Sequence, residues 1–215
     1  MNKTNSTGCD LSALDGLEKT VCLNDTEVFN EFNLRNLTGI VNQGSTPKCV
    51  SVCLSDMVKY KITTGLYKSI KFSDDYFFKT RSNKNEEGMS PKEAFDILYK
   101  TGISTKPSEE SLKCSLYAMV KNTFNNIEDY IKLLKQTIIC NGPVLVVLPC
   151  YDESVTFWKS SSSSPNYYHA VQLVGYDKDG FVLKNSWGTE FGNSGYCTLS
   201  YLDINYIKEA WVLIR

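Results

Sequence analysis

The stretch from Asn42 to Cys49 constrains this chain most, because a turn-rich loop runs directly into a helical pattern. The loop holds Gly, Ser, Thr and Pro, and Gln43 lies six residues before Cys49. After the cysteine, residues of one helical face recur every three or four positions, which predicts a helix with one face buried; they are Val50, Cys53, Leu54, Met57, Val58, Lys61 and Ile62. Cys49 is therefore expected at the positively polarised start of a helix, where a thiolate and an oxyanion are both stabilised.

The chain contains a single histidine, and its position suits a catalytic base. A thiolate nucleophile needs a base, and the base needs a partner that holds it in one orientation. His169 begins an apolar run, 169–176, that predicts a strand, and Asn185 follows it by sixteen residues. Cys49 is therefore a candidate nucleophile, His169 is the candidate base, and the Gln43 amide is a candidate oxyanion donor.

These residues lie in three ordered motifs that resemble those of the papain-like cysteine peptidases, the cathepsins included. The motifs are Asn-Gln-Gly with the cysteine, then His-Ala-Val with Val-Gly-Tyr, then Lys-Asn-Ser-Trp-Gly. The resemblance runs from about Phe32 to the C-terminus. It implies Cys49 as nucleophile, His169 as base, Asn185 as orienting residue and Gln43 in the oxyanion hole.

The resemblance implies an α+β fold of the papain-like, two-lobed kind, with the active-site cleft between the lobes. We expect an N-terminal extension over residues 1–29, a helical lobe with the nucleophile over 30–105, and a β-rich lobe with His169 and Asn185 over 106–215. The β-rich lobe would hold an antiparallel, barrel-like sheet. Sequence patterns agree, since helical patterns precede a set of strands predicted at 144–148, 169–176, 181–185, 195–201 and 211–215.

The resemblance also implies a set of peptide-binding residues. Gly88 and Met89 would offer backbone and an apolar wall to an extended peptide, and Val147 and Ala170 would line the S2 pocket. Trp187 would shield the His–Asn hydrogen bond from water. For each of these residues an ordinary role in a turn or in the core remains open.

The loop before the nucleophile departs from the family pattern. The family usually has Gly-Ser-Cys-Gly-Ser-Cys-Trp, whereas this chain has Gly-Ser-Thr-Pro-Lys-Cys-Val. Thr46 cannot form the usual disulfide, Pro47 replaces a flexible glycine, and Val50 replaces an aromatic residue. We interpret the chain as a trimmed, divergent member, closer to bacterial and viral relatives than to lysosomal cathepsins, with an altered S1 rim.

Composition limits the partners of this chain. It has 215 residues, 42% hydrophobic content and a net charge of −1, so no global field favours nucleic acid or an anionic membrane. A single histidine argues against a zinc site, and no metal or cofactor is expected. We expect a monomer that binds a peptide or protein substrate.

Localisation stays open at the level of sequence. The stretch 1–6 is polar and unlike a signal peptide, and no apolar run is long enough to span a bilayer. The family favours a lysosomal or extracellular place, whereas a viral member would act in the cytoplasm or the virion.

Two hypotheses are possible for the N-terminal extension. Leu11, Leu14, Leu17 and Val21 recur at helical spacing and predict a short amphipathic helix after Asp10. That helix would either lie across the cleft as a short pro-segment or pack as a strap on the back of one lobe. A straight helix would also exclude a disulfide between the two cysteines at positions 9 and 22.

The predicted activity is hydrolysis of peptide bonds through an acyl-enzyme. The resemblance favours an endopeptidase, although the residues themselves reveal neither the substrate sequence nor endo- versus exopeptidase action. Two alternatives remain: a catalytically impaired peptide-binding protein with the same fold, and an acyl transferase or amidase that uses the same triad.

Overall fold

A computed structural model describes residues 8–12, 14, 18–35, 38–82, 84, 88–104, 110–159 and 163–214 of the chain. Within these ranges there are four α-helices, which are α1 (Cys49–Thr63), α2 (Tyr76–Thr80), α3 (Pro91–Asp96) and α4 (Ile127–Asn141). The same described residues form seven strands, which are β1 (Phe32–Asn33), β2 (Tyr117–Met119), β3 (Val144–Cys150), β4 (Tyr167–Tyr176), β5 (Gly180–Lys184), β6 (Tyr196–Ser200) and β7 (Glu209–Leu213). Across these described ranges, no helix has the length and apolar character needed to cross a membrane.

All seven strands form one antiparallel sheet. Its order is β2-β7-β3-β4-β5-β6, and the short β1 pairs with β4 outside this path. The three strands predicted at 144–148, 169–176 and 181–185 correspond to β3, β4 and β5, which lie side by side. β2 was not predicted, because three residues are too few to show an alternating pattern.

The sheet is buried on both faces, which explains why β3 reads as an unbroken apolar run. Val144, Val146 and Leu148 point into a core cluster shared with α4, whereas Leu145 and Val147 point into a second cluster shared with α1. All seven residues of β3 are buried. The sheet therefore lies between the long helix that starts at the candidate nucleophile and the long helix on the opposite face.

α1 is buried on more sides than its apolar pattern predicts. Every residue from Cys49 to Val58 is buried, including three polar ones. The hydroxyl groups of Ser51 and Ser55 donate to the backbone oxygen of Asp74, and the carboxylate of Asp56 pairs with Lys184. The predicted one-sided burial is therefore wrong, because these polar groups find partners far away in the sequence and can be buried at low cost.

Helix boundaries follow local signals in the sequence. Ser90 caps α3 by accepting a hydrogen bond from the Glu93 amide, with Pro91 at the first helical position. Gly142 ends α4 with a φ of 91°, and a side chain there would overlap the Tyr60 ring. Both helix ends therefore lie where the local sequence favours them.

The predicted amphipathic helix of the N-terminal extension is wrong for the described residues. Leu11, Leu14 and Val21 lie in irregular chain, while Leu17 lies outside the described residues. The described part of the extension instead makes separate backbone contacts with strands of the sheet. Met119 exchanges backbone hydrogen bonds of 2.8 and 2.9 Å with Lys19 and Val21, which fixes this part of the extension to strand β2.

The predicted α+β class is confirmed, with α1, α2 and α3 preceding nearly all of the sheet in the chain. Two departures from a simple division into halves are visible. β1 comes from the first half but pairs with β4, and α4 comes from the second half. The proposed lobe limits at 30–105 and 106–215 stay a prediction.

Candidate active site

Cys49 is the first residue of α1 and is fully buried. Lys48 precedes it without a side-chain hydrogen bond to the helix, so the first turn has no side-chain cap. The unpaired backbone N–H groups of such a turn carry partial positive charge. The position predicted from sequence, a cysteine at the start of a helix, is the one observed.

His169 and Asn185 are in direct contact. Nε2 of His169 lies 2.8 Å from Oδ1 of Asn185. Oδ1 of Asn185 also accepts a 2.8 Å hydrogen bond from the backbone N–H of Ser186, which identifies this atom as the oxygen of the amide. An oxygen acceptor requires the proton on Nε2, so Nδ1 of His169 is left as the basic nitrogen.

Aromatic rings surround the histidine. Trp187 stacks on His169 with a centroid distance of 4.7 Å and an interplanar angle of 19°. Phe157 contacts both rings, at 5.5 Å from His169 and 5.2 Å from Trp187. This places Trp187 where it can exclude water from the His–Asn hydrogen bond. Phe157 was missed, because nothing near it in the sequence forms a recognisable motif.

The thiol of Cys49 is held in an environment that favours its ionised form. Burial opposes ionisation, but the neighbouring thiol of Cys9 and the imidazole of His169 favour the thiolate, and the pKa of Cys49 lies well below its ordinary value. Nδ1 of His169 has no hydrogen-bond partner of ordinary geometry among the described residues. The imidazole and the thiol of Cys9 therefore both act on Cys49 as close neighbours.

Cys53 provides a contrast within the same helix. It lies one turn after Cys49 and donates its thiol to the backbone oxygen of Ala170 at 3.4 Å. Burial first, and then the negative charge at Cys49, raises the pKa of Cys53 well above its ordinary value. Two cysteines of one helix are therefore tuned in opposite directions by their surroundings.

Gln43 is buried and anchored at both ends of its side-chain amide. Nε2 donates to the backbone oxygen of Thr46 at 3.0 Å, and Oε1 accepts from the Ser186 hydroxyl. The backbone N–H of Gln43 also donates to the Ser186 oxygen at 2.8 Å. Ser186 thus joins the loop before Cys49 to the residue that follows Asn185, a role that the sequence motif contains but does not reveal.

The predicted peptide-binding residues are adjacent to the nucleophile. Met89, Val147 and Ala170 are buried in one apolar cluster with Cys49, and Val147 pairs with Ala170 across β3 and β4. Gly88 is also buried. Their contribution to an S2 pocket stays a prediction, because the same residues form part of the core.

The N-terminal extension reaches this site, which sequence reasoning left open. Cys9 donates its backbone N–H to the oxygen of Tyr168 at 2.7 Å, next to His169. On the opposite side, a side chain at Gly88 would come within 3.2 Å of the Cys9 Cα. Cys9 belongs to the same buried cluster as Cys49. Residues 8–10 therefore lie against Gly88, one of the predicted peptide-binding residues, and Cys9 is bonded to the residue before His169.

The described residues offer no alternative metal chemistry at this place. Within them, no three His, Cys, Asp or Glu side chains are grouped so that they could hold a metal ion. What the arrangement can do is nucleophilic chemistry, because an activated thiol, a basic nitrogen and oriented amides converge.

Comparison with known sequences identifies the family that this chain matches. The sequence model for the papain family of cysteine proteases matches residues 29–209. Cathepsin S of Rattus norvegicus is 29% identical over 196 residues, which cover 79% of this chain and 59% of cathepsin S. Procathepsin L of Mus musculus is 28% identical over 132 residues, covering 54% and 37% of the two chains. The match thus spans less than two thirds of these relatives.

Solved structures share the fold over nearly the whole chain. Xylellain, a cysteine protease from Xylella fastidiosa, has a TM-score of 0.78 at 17% identity and covers 100% of this chain and 97% of its own. A digestive procathepsin L2 proteinase from the larval midgut of Tenebrio molitor has a TM-score of 0.72 at 18% identity, with 99% and 79% coverage. At these identities the likeness concerns the fold alone.

Proposed function

This chain belongs to the papain family of cysteine proteases, and we propose that it hydrolyses peptide bonds with Cys49 as nucleophile and His169 as general base. Asn185 would orient the imidazole, and Gln43 would donate to the oxyanion. The observation that carries the proposal is the 2.8 Å contact between His169 Nε2 and Asn185 Oδ1, beside a cysteine whose pKa is well below its ordinary value.

Acylation begins when the proton of the Cys49 thiol passes to Nδ1 of His169, which leaves a thiolate beside an imidazolium. The Cys49 thiolate attacks the carbonyl carbon of the peptide, and the resulting oxyanion receives hydrogen bonds from the Cys49 N–H and the Gln43 amide. His169 then gives its proton to the leaving amine, which breaks the C–N bond and leaves an acyl group on sulfur.

The deacylation step reverses these roles. His169 takes a proton from water, the hydroxide attacks the acyl carbon, and the thiolate leaves. The hydrogen bond to Asn185 keeps the imidazole in one tautomer throughout, and the stacked Trp187 protects that bond from solvent. Catalysis also requires residues 8–12 to move aside, since they cover Gly88.

A library of internally quenched peptides, incubated with the reduced full-length chain, tests the proposal. We expect cleavage at internal bonds, and no cleavage by the Cys49→Ala variant. A parallel assay with small amides and acyl acceptors addresses the acyl transferase and amidase alternative. Turnover of those compounds without peptide cleavage would contradict the proposal, as would binding of peptides that are never cut.

A further inference from the structure

Residues 8–12 are held from both sides of the active site. The backbone N–H of Cys9 donates a hydrogen bond to the Tyr168 oxygen on β4, and the Ser12 N–H donates to the carboxylate of Glu209 on β7. On the helical side, the N–H of Lys92 donates to the Ser12 hydroxyl at 3.1 Å. The segment therefore spans from the sheet to α3, directly over the nucleophile.

Within this segment, the side chain of Cys9 is directed at the nucleophile. Its thiol is close enough to that of Cys49 for the two groups to shift each other's pKa, and both residues are buried in one cluster, with Cys9 7% exposed. A disulfide would bring the two sulfurs to the S–S bond length of about 2.05 Å. No pattern in the sequence connects residues forty positions apart, so this pairing appears only in the folded chain.

The protonation states of the two thiols are complementary. The neighbouring Cys49 thiol first, and then burial, raises the pKa of Cys9 well above its ordinary value, while the pKa of Cys49 is lowered. Cys49 is therefore the thiolate that an oxidant attacks first, and Cys9 is the thiol that carries a proton to the departing oxygen.

We propose that Cys9 is a resolving cysteine, which forms a reversible disulfide with Cys49 under oxidising conditions and locks residues 8–12 over the active site. This inference rests on the proposed function in one respect, namely that Cys49 is the nucleophile. Reduction of the disulfide would return the free thiolate and release the segment.

The proposed steps balance with a peroxide as oxidant. Cys49 thiolate attacks one oxygen of hydrogen peroxide, the O–O bond breaks, and a sulfenic acid and hydroxide form. The Cys9 sulfur then attacks the Cys49 sulfur, the S–O bond breaks, and the hydroxyl group leaves as water with the Cys9 proton. An external dithiol reverses the bond by thiol–disulfide exchange and becomes a disulfide itself.

The neighbouring Cys53 is a poorer resolving residue. It lies four residues after Cys49 on the same helix, and its thiol is engaged with the Ala170 oxygen. A disulfide between these positions would require the helix to distort, because the rigid backbone fixes both Cβ directions. Cys9 lies outside α1, so no shared helix backbone fixes the direction of its Cβ relative to that of Cys49.

Titration of the reduced full-length protein with hydrogen peroxide tests the inference. Remaining thiols are alkylated, the protein is digested without reduction, and the peptides are mapped by mass spectrometry. We expect a disulfide-linked peptide that joins Cys9 to Cys49 in the wild type and in the Cys22→Ser variant. This variant is the matched control, because Cys22 is an exposed thiol of the same extension. The Cys9→Ser variant should give no linked peptide.

Recovery with dithiothreitol provides the second readout. We expect labelling of Cys49 to recover at least ~10-fold better in the wild type than in Cys9→Ser, whose Cys49 should proceed to irreversible sulfinic or sulfonic acid. A wild type in which Cys49 is overoxidised, or is linked to another cysteine, would overturn the inference. The peptide map does not depend on catalytic turnover. A protein that forms the Cys9–Cys49 disulfide but cleaves no peptide after reduction would therefore contradict only the proposed function.

Discussion

The two sides of the active site are stabilised in different ways. On the sheet side, His169 is held by strand pairing with Leu148, by its bond to Asn185 and by stacking on Trp187. On the helix side, Cys49 begins α1, and the side chain of the preceding Lys48 makes no capping hydrogen bond to the helix. The base is therefore fixed by its own surroundings, whereas the nucleophile depends on contacts made elsewhere.

Contacts with the sheet side hold α1 in place, although its first turn has no side-chain cap. Gln172 on β4 donates to the backbone oxygen of Cys53 at 2.6 Å, and Lys184 on β5 pairs with Asp56 at 2.8 Å. Ser186 holds the Gln43 amide in the loop before the helix. The comparison teaches that the sheet side positions the helix side, so damage to β4 or β5 should reach the nucleophile.

Removal of the nucleophile should have the largest effect. We expect Cys49→Ala to lower kcat/KM by at least ~10³-fold, the order found when a catalytic nucleophile is lost. The free energy of unfolding should change little in comparison, and urea denaturation serves as the control. Activity within ten-fold of the wild type would remove Cys49 from the mechanism.

Loss of the buried ion pair between the two sides should come next. Lys184→Met leaves the Asp56 carboxylate buried without its cation, and the free energy of unfolding should fall by about 3–5 kcal/mol. The matched control is Lys178→Met, whose pair with Asp179 is exposed and should contribute less than about 1 kcal/mol. Equal urea midpoints for the two variants would mean that the contact does not join the two sides.

A change on the sheet side alone should reduce catalysis without removing the thiol. Asn185→Ala deletes the acceptor at His169 Nε2, and we expect kcat to fall roughly 10- to 100-fold, a part of what a positioned base contributes. Alkylation of Cys49 should persist in this variant. Unchanged kcat from acid to neutral pH would show that His169 needs no such partner.

The loop before the nucleophile should have the smallest effect. Pro47→Gly restores a backbone N–H and free φ two residues before Cys49. We expect a shift in preference at the P1 position of the substrate, with P2 preference retained, measured with peptide libraries. Matching P1 profiles for wild type and variant would exclude the proline from the S1 rim.

The sheet side could be predicted from the sequence in two ways. His169 and Asn185 lie in motifs that resemble those of the papain-like peptidases, and that resemblance predicted the contact between them. The strands β3 to β5 were likewise visible as apolar runs, because both faces of the sheet are covered.

Interactions distant in the sequence could not be predicted in this way. Leu11 and Leu14 recur at helical spacing, yet the backbone of the segment bonds to Tyr168 and Glu209 instead of to itself. The burial of Asp56 depends on a partner at position 184, which no local pattern shows. Tertiary contacts determine both the conformation of this segment and the burial of Asp56, and they also place Cys9 near the nucleophile.

The most direct test of the account is the rate of alkylation of each cysteine by iodoacetamide as a function of pH, followed by mass spectrometry of the reduced protein. Burial opposes ionisation of Cys49, but the neighbouring thiol of Cys9 and the imidazole of His169 lower its pKa, so its thiolate should persist as pH falls below the ordinary thiol range. The account predicts that Cys49 reacts at acidic pH, that Cys53 does not, and that peptide cleavage is lost in step with Cys49 modification. An ordinary thiol titration at Cys49, or cleavage that survives its complete modification, would contradict it.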